Sequence, residues 1–159
     1  MSGDATTQQA AVDALAGFDL HDAPGHLLRR CQQLAVDLYT NEVGADGLTP
    51  RQFALLLAIY QQAGISQVEL VRSTGIDRST VAEMVARLIK RGLLVRERTE
   101  TDRRTNALVL TSEGEGQLRQ AMPGVMRAQD RIMAPIPPAK RAEFIALLRQ
   151  IIDTLEPRG

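Results

Sequence analysis

Several basic and hydroxyl side chains between Val71 and Arg104 have the chemistry needed to bind a nucleic acid. Three of them, Arg78, Ser79 and Thr80, follow one another in the chain. Arginine can bind guanine with two hydrogen bonds, while serine and threonine bond to base edges or to phosphates. Others are suited to phosphate or minor-groove contacts, namely Arg72, Arg87, Lys90, Arg103 and Arg104.

The charge of the chain is unevenly distributed. Its 159 residues carry a formal net charge of zero, but Val71–Arg104 holds nine basic residues against five acidic ones, a net of +4. Met1–Pro50 holds two basic residues against seven acidic ones, a net of −5. Because phosphate responds to the local field, the zero total does not argue against DNA. Aromatic residues make up only 3%, which argues against a base-stacking binder of RNA or single strands.

The elements that must position these side chains begin at Ser66. Ser66 and Glu69 form a capping-box pattern, which predicts a short helix. Thr74–Ile76 predicts a tight turn, because the central glycine accepts dihedral angles that other residues avoid. Asp77 is a good N-cap for a second helix that runs to about Arg91. Arg78, Ser79 and Thr80 would then form the first turn of this second helix.

A hairpin with a basic tip is predicted next. Gly92 occupies the position where a helix-ending glycine belongs. Two β-rich runs, Leu93–Arg98 and Thr105–Thr111, flank a polar and charged loop, Thr99–Arg104. A helix, a glycine turn, a second helix and a hairpin together predict a winged helix-turn-helix.

Longer helices are predicted on both sides of this region. One spans Asp22 to about Asn41, and another opens at Thr49, where an N-cap, a proline at N1 and a glutamine at N3 coincide. Thr111 caps a third helix that runs to about Met133, and a last helix spans about Pro138 to Leu155. Proline removes a backbone hydrogen bond, so Pro123 predicts a kink in the third helix.

Apolar stripes at helical spacing run along these helices. One chain cannot bury the stripes of the first helix and the last two, which therefore predict an intertwined homodimer. Two sets are predicted to face the core, namely Phe53, Leu56, Leu57 and Tyr60, and Val81, Val85, Leu88 and Ile89. The other predicted stripes are Leu27, Cys31, Leu34 and Leu38; Leu118, Met122, Val125, Gln129 and Ile132; and Phe144, Leu147, Leu148, Ile151 and Leu155.

Four runs resemble the MarR family of bacterial transcriptional regulators. They are Asp77–Val81, Leu88–Leu93, Asp102–Arg104 and Leu110-Thr111. The resemblance implies one MarR-like domain over residues 1–159, mostly α with a small β-wing. Residues 20–42 and 111–157 would form a helical dimerisation arm, and residues 49–110 the winged helix-turn-helix. It also implies that Asp102 orients a wing arginine, Arg104, by an ion pair.

The resemblance further implies a homodimeric regulator, a repressor released from a pseudo-palindromic operator by an aromatic effector. The effector would be a small aromatic carboxylate or an aromatic acyl-CoA, bound between the arm and the winged domain. The run His21–Arg30 is similar to the subgroup that responds to hydroxycinnamoyl-CoA-type ligands. His26, Arg29 and Arg30 are the candidates for the ligand's anionic end, since guanidinium pairs with carboxylate or phosphate. The alternative is a solvated helix end.

Two features leave alternatives open. Met1 to about Asp19 predicts a weakly ordered arm, a helix ordered by a partner, or a disordered tail. Cys31 lies on an apolar stripe, which predicts a buried spacer. Because one MarR branch senses peroxide through a cysteine on the first helix, a redox-sensing thiol is the alternative, and Arg29 and Arg30 precede it.

For the protein as a whole, a winged helix used only to bind protein is an alternative to a DNA-binding regulator.

Other classes lack support in the sequence. No Gly-rich phosphate loop or catalytic constellation stands out, so neither an enzyme nor a cofactor is expected. A single cysteine rules out an internal disulfide and a Cys-based zinc site, and two nearby histidines are poor evidence for a metal. No apolar run approaches ~20 residues and no basic-then-apolar leader opens the chain, which predicts a cytoplasmic protein.

Overall fold

Seven α-helices and one hairpin make up the described part of the chain. The computed structural model describes residues 3–62, 64–99 and 102–156. The elements in order are α1 Gly3–Gly17, α2 Pro24–Val43, α3 Pro50–Gln61, α4 Gln67–Thr74, α5 Arg78–Lys90, β1 Leu94–Thr99, β2 Asp102–Leu110, α6 Ser112–Met133, a 3-10 turn Pro138–Lys140, and α7 Arg141–Leu155. The fold is mostly α with a two-stranded wing, as predicted. The chain divides into two compact units, Met1–Ala35 and Val36–Gly159.

The first unit holds α1 and the first half of α2. Helix α1 is present over Gly3–Gly17, so a disordered tail is the wrong alternative for that segment. Its apolar side chains Val12 and Leu15 are 54% and 78% exposed. Every α1 side chain that the structure describes is exposed, and a helix whose apolar residues are exposed has little tertiary stabilisation of its own. Of the three alternatives, a helix that needs a partner fits these exposures.

The second unit contains a core built from α3, α4, α5, the hairpin and α6. Phe53, Leu56, Val81, Val85 and Leu88 are buried there as predicted. Helix α3 begins as its sequence indicates, since Thr49 Oγ1 accepts from the Gln52 amide at 3.3 Å. Gln52 Oε1 in turn accepts from the Thr49 amide at 3.1 Å. Both halves of the capping box are therefore confirmed.

The two helices of the helix-turn-helix are bounded as predicted. The Ser66 amide donates to Glu69 Oε2 at 2.8 Å, and the Glu69 amide donates to Ser66 Oγ at 3.2 Å. Gly75 follows α4 with φ of +65°, a left-handed conformation that glycine adopts without steric cost. Asp77 then caps α5, with its Oδ1 accepting from the Thr80 amide at 2.9 Å. The capping residues thus set the junction of α4 and α5.

The hairpin strands extend further into the predicted loop than expected, while their outer ends lie at Leu94 and Leu110 instead of Leu93 and Thr111. Strands β1 and β2 pair antiparallel from Leu94↔Leu110 to Arg98↔Asn106, and the register shifts before Thr99↔Asp102. The predicted loop Thr99–Arg104 is wrong at both ends, because Thr99 belongs to β1 and Asp102–Arg104 belong to β2. Threonine is common in strands and aspartate is depleted there, so the composition of this run did not determine where the strands end. Glu100 and Thr101 lie outside the described residues.

The base of the wing is fastened to the start of α6. Thr111 Oγ1 donates to the Gly92 carbonyl at 2.6 Å and accepts from the Gly114 amide at 3.0 Å. A Cβ placed on Gly114 would collide with the carbonyl oxygen of Leu93. This close approach explains a glycine inside the first turn of a long helix.

Helix α6 also packs closely on the end of α2. A Cβ on Gly124 would lie 2.9 Å from the Glu42 carbonyl carbon. Glu42 accepts from Arg127 Nε at 2.8 Å and from Arg131 Nη1 at 2.9 Å. These side-chain hydrogen bonds, from Arg127 first, hold the pKa of the Glu42 carboxyl below its ordinary value. Glu42, Gly124, Arg127 and Arg131 thus join the end of α2 to α6.

The stripe of α6 differs from the predicted one. The helix runs through Pro123 without interruption, and the predicted kink stays a prediction. Leu118 and Val125 are buried as predicted, but Met122 is 40% exposed, and Gln129 is exposed. The small residues Ala121, Gly124 and Ala128 are buried in addition, because α6 approaches its neighbours too closely for larger side chains on that face.

Helix α7 has no buried residue. Leu147, Ile151 and Leu155 are 51%, 42% and 76% exposed. One chain therefore does not bury this stripe, as the sequence predicted. In the first unit Leu27 and Leu34 are likewise 44% and 56% exposed. Exposed aliphatic faces of this kind mark interaction sites when they are contiguous.

Tyr39 carries a buried hydroxyl for which the described residues supply no hydrogen-bond partner. Its ring is 7% exposed and meets Phe53 edge to face, with centroids 6.3 Å apart. Burial raises the pKa of Tyr39 to about 12 from the ordinary value of 10. The neutral phenol is thus favoured in the folded state. The associated stability is present below pH 10 and is lost as the pH rises towards 12.

Replacing Tyr39 with phenylalanine is expected to stabilise the ligand-free protein by about 1 kcal/mol. The change removes an unpaired buried hydroxyl, whose desolvation costs ~1–3 kcal/mol, and keeps the ring contact with Phe53. Urea unfolding at pH 7 and pH 11 tests this. The difference should grow at pH 11, where unfolding releases the Tyr39 proton in the wild type. A variant less stable than wild type at both pH values would contradict the assignment of an unpaired hydroxyl.

Candidate DNA-binding surface and effector pocket

The first turn of α5 presents the predicted base-reading side chains. Arg78 and Ser79 are exposed, and Thr80 is half-buried. The turn follows a short helix and a left-handed glycine, which is the arrangement that places a recognition helix at the major groove. The buried residues Val81, Val85 and Leu88 hold the opposite face of α5 in the core. One face of α5 is therefore packed in the core, and the side chains of its first turn are accessible from solvent.

Asp77 orders this turn through one oxygen. Its Oδ1 accepts from Ser79 Oγ at 2.6 Å and from the Thr80 amide at 2.9 Å. The Ser79 hydroxyl, followed by Thr80, holds the pKa of the Asp77 carboxyl well below its ordinary value. The carboxylate is therefore charged at neutral pH. Sequence reasoning gave Asp77 only the role of an N-cap, whereas the structure adds a second partner.

The predicted phosphate-binding cations lie on the surface of α4 and α5. Arg72, Arg87 and Lys90 are all exposed. Arg87 Nη2 lies 3.2 Å from Glu83 Oε2, with both side chains about 70% exposed. Exposed pairs of this kind are weak, on the order of 0–1 kcal/mol, so Arg87 can exchange Glu83 for a phosphate.

The predicted wing residues lie at the start of the second strand. The backbone of Asp102, Arg103 and Arg104 forms the start of β2. Their side chains lie outside the described part of the chain. The orientation of Arg104 by Asp102, and the minor-groove role of Arg103 and Arg104, stay predictions.

A pocket lies between α3 and α6. Its cavity of about 210 Å³ is lined by Phe53, Leu57 and Tyr60 from α3 and by Glu115, Leu118, Arg119 and Met122 from α6. Tyr60 was predicted to face the core, which is wrong, since it is 59% exposed. The exposed Met122 also lines the cavity. Tyr60 and Met122, both exposed, thus add apolar surface to the pocket wall.

Arg119 is the cation in this pocket, and sequence reasoning did not find it. Its Nη1 lies 3.0 Å from Glu115 Oε2, with side-chain exposures of 68% and 41%. Glu115 and Arg119 lie four positions apart on the helix that also carries the apolar residues Leu118 and Met122. That pattern on one helix is common on solvated surfaces, so it did not distinguish a pocket from an ordinary ion pair.

The predicted effector residues lie in the other unit. Arg29 Nη1 donates to Gln33 Oε1 at 2.9 Å, and Arg29 Nη2 lies 3.4 Å from His26 Nδ1. Arg29 and Arg30 are exposed, and His26 is half-buried. They belong to the first unit and the residues of the α3–α6 pocket to the second. A role in effector binding for His26, Arg29 and Arg30 stays a prediction.

Cys31 is exposed, so the prediction of a buried spacer is wrong within one chain. Its neighbours on the stripe, Leu27 and Leu34, are also exposed in the single chain. Among the residues that the structure describes, no cluster of three His, Cys, Asp or Glu side chains could hold a metal. None of the described helices combines the length and apolar character of a membrane span.

Comparison with known proteins decides the family. A MarR family model matches residues 46–105. The transcriptional repressor NicR of Pseudomonas putida is 30% identical over 159 residues, which covers 100% of each chain. The chain belongs to the MarR family. It is thus a DNA-binding transcriptional regulator, and members of this family are regulators rather than enzymes.

Two solved structures resemble this MarR protein over most of its length. PcaV from Streptomyces coelicolor, in complex with its natural ligand, is 36% identical with a TM-score of 0.80, covering 88% of this chain and 99% of its own. BpsR from Bordetella bronchiseptica, whose DNA binding is regulated by 6-hydroxynicotinic acid, is 31% identical with a TM-score of 0.80. That match covers 86% of this chain and 97% of BpsR. The winged-helix fold of the MarR family is therefore shared along the chain.

Proposed function

We propose that this MarR protein is a homodimeric repressor that binds a pseudo-palindromic operator and is released by a small aromatic carboxylate. The observation that carries this proposal is the α3–α6 pocket. Its walls are apolar, it contains Arg119, and one side of it is formed by α6, the helix that follows the wing. The exposed first turn of α5 supports DNA reading, and the relative NicR is a repressor. The protein would act in the cytoplasm, where its operator lies.

The DNA contacts divide by chemistry. Arg78, Ser79 and Thr80 would meet base edges, because they stand on the first turn of the recognition helix. Arg72, Arg87 and Lys90 would meet phosphates on either side of that turn. Arg103 and Arg104 would enter the minor groove, where a narrow AT-rich stretch deepens the negative potential.

A homodimer is supported by the exposed apolar faces. Leu147, Ile151 and Leu155 on α7 face solvent in the single chain, and burying apolar surface contributes roughly 25 cal/mol per Å². A self-complementary contact of this face gives the twofold symmetry that a pseudo-palindromic operator requires.

The size of the pocket favours a single-ring ligand. A cavity of ~150 Å³ is enough to bind benzene, whereas drug-sized ligands occupy roughly 300–1,000 Å³. The 210 Å³ of the α3–α6 pocket suits one ring and a carboxylate. An aromatic acyl-CoA, the alternative effector, would place its nucleotide outside this cavity. BpsR, which responds to 6-hydroxynicotinic acid, supports the smaller class.

Arg119 would bind the carboxylate of the ligand. A guanidinium carries five N–H donors, so it can keep Glu115 and accept a second anion. The pocket residues Leu118 and Met122 are on the same helix as Thr111–Gly114, which are fastened to the base of the wing. A ligand that shifts α6 would therefore shift the winged helix and separate the two half-site contacts.

This proposal predicts reciprocal weakening of ligand and operator. Coupling of ~1–3 kcal/mol between the two sites would lower ligand affinity about 5–150-fold when operator is bound. Arg119→Gln should weaken binding of 4-hydroxybenzoate or 6-hydroxynicotinate roughly tenfold or more, because a hydrogen bond to a charged group contributes ~1.5–3 kcal/mol. Titration calorimetry with and without operator measures both effects.

Two variants make the calorimetry decisive. Arg51→Gln removes an exposed arginine at the start of α3 that does not line the cavity, and it should leave ligand affinity unchanged. Arg29→Ala/Arg30→Ala tests the other predicted site. Equal ligand affinity with and without operator would refute the coupling, and loss of binding only in the Arg29/Arg30 variant would move the site to the first unit.

The exposure of Cys31 keeps a thiol switch as a second candidate function. Reactive thiols sit in partly exposed, electropositive places, and Arg29 and Arg30 precede this residue. Release of operator by peroxide from the wild type, but not from Cys31→Ser protein, would favour this candidate over a ligand-responsive repressor.

A further inference from the structure

The hydroxyl proton of Ser79 is already committed to a neighbour. Ser79 Oγ lies 2.6 Å from Asp77 Oδ1, a short donor–acceptor distance. Hydrogen bonds of 2.5–2.7 Å between a hydroxyl and a carboxylate are charge-assisted and roughly twice as strong as neutral ones. Asp77 cannot move away easily, because the same oxygen accepts the Thr80 amide and caps α5.

A committed proton leaves Ser79 with acceptor capacity only. A serine hydroxyl has one donor and two acceptor lone pairs. With its donor directed at Asp77, the exposed Ser79 oxygen offers lone pairs to whatever approaches the first turn of α5. The neighbouring Arg78 has the opposite character, since a guanidinium only donates.

This polarity restricts what Ser79 can contact in DNA. The major groove offers two donors, the amino groups of adenine N6 and cytosine N4, and otherwise presents acceptors and the thymine methyl. Phosphate oxygens are acceptors as well, and the Asp77 carboxylate beside Ser79 repels them. A phosphate contact at Ser79 is therefore unfavourable on two counts.

On the basis of the proposed operator binding, we propose that Ser79 is a specificity-determining residue that accepts from adenine or cytosine at one position of each half-site, with Asp77 as its positioning residue. Guanine or thymine facing Ser79 would bring two acceptors together. The unpaired acceptors would lose their hydrogen bonds to water without replacement. Arg78, as a pure donor, would favour guanine or a phosphate nearby.

The test begins with operators selected from random duplexes on wild-type protein. Each position is then changed to the other three base pairs, and the affinities are measured by competition. One position per half-site should prefer adenine or cytosine on the contacted strand by roughly tenfold, since good base contacts discriminate by ~1–3 kcal/mol. Ser79→Ala should remove that preference and leave the other positions unchanged.

Three further variants separate reading from folding. Ser79→Thr retains the hydroxyl and should keep the preference, and Ser112→Ala, at the start of α6, should behave as wild type. Asp77→Gly removes the carboxylate that accepts the Ser79 proton and is tolerated at an N-cap, so guanine and thymine should become tolerated at the same position. Circular dichroism at the assay temperature verifies that this variant, which alters a helix cap, is folded. Should it unfold, the Ser79→Ala and Ser79→Thr pair decides.

Distinct outcomes overturn distinct claims. Uniform loss of affinity in Ser79→Ala for all operators would identify a phosphate contact, which carries no sequence information, and would overturn the acceptor role. A preference unchanged in Ser79→Ala would show that another residue reads that base. Absence of any sequence-specific binding by the wild type would refute the proposed function itself.

Discussion

Replacing Leu147 and Ile151 with glutamate is expected to abolish dimer formation and to weaken operator binding by ~100-fold or more. Both side chains are about half exposed on α7, so the changes leave the core of the chain intact. In a dimer they would bury two charges per chain against an apolar face, at high cost. A monomer reads one half-site and loses the simultaneous contact to the second, one helical turn of ~34–36 Å away.

Sedimentation at micromolar concentration and gel shifts on the selected operator measure this result. Arg149→Glu is a matched control, because it changes the net charge by the same −2 and, two positions from Leu147 and Ile151, lies on the opposite side of α7. The control should remain dimeric. A Leu147→Glu/Ile151→Glu protein that still sediments as a dimer would place the subunit interface elsewhere.

Replacing Gly124 with alanine is expected to destabilise the protein by about 3 kcal/mol, the upper part of the range for overpacking. The added Cβ would lie 2.9 Å from the Glu42 carbonyl carbon and 3.0 Å from the Val43 Cα. These are backbone atoms, so the end of α2 must move away from α6. The movement would also stretch the hydrogen bonds from Arg127 and Arg131 to Glu42.

Gly116→Ala on the same helix is the control. Nothing lies within 4 Å of a Cβ at Gly116, so the substitution should stabilise the helix by about 0.5–1 kcal/mol. A melting temperature falls by roughly 2–4 °C per kcal/mol for a protein of this size. Thermal unfolding should therefore move the two variants in opposite directions. Equal shifts would show that α6 and α2 do not approach at Gly124.

Capping residues were the part of the fold that sequence predicted best. Ser66, Asp77 and Thr111 each form the expected bond to a backbone amide, because capping depends on residues within one turn. The stripe of α6 was predicted less well, since helical spacing identifies apolar residues but not how closely the next helix approaches. Gly124 and Ala128 are buried there, while Met122 is not.

The candidate site was predictable to a similar extent. The exposed first turn of α5 follows from Asp77 and the glycine turn before it, both of which are local features. The α3–α6 pocket was not found, because it depends on Tyr60 and Arg119, residues 59 positions apart that only the tertiary fold brings together. The predicted wing loop failed at its boundaries, since strand pairing is a long-range property that composition describes poorly.

Helix α6 joins the base of the wing to the end of α2, so a rotation about one attachment displaces the other. Near Gly114 the helix is attached to the base of the wing. Between Gly124 and Arg131 it is attached to the end of α2. At a rise of 1.5 Å per residue, the 17 steps from Gly114 to Arg131 span about 25 Å. A ligand that tilts the helix by ~5° would displace its far end by about 2 Å, if the helix rotates as a rigid rod. In a dimer each recognition helix would move with the α6 of its own subunit. The separation of the two recognition helices would therefore change by about twice the displacement in one subunit.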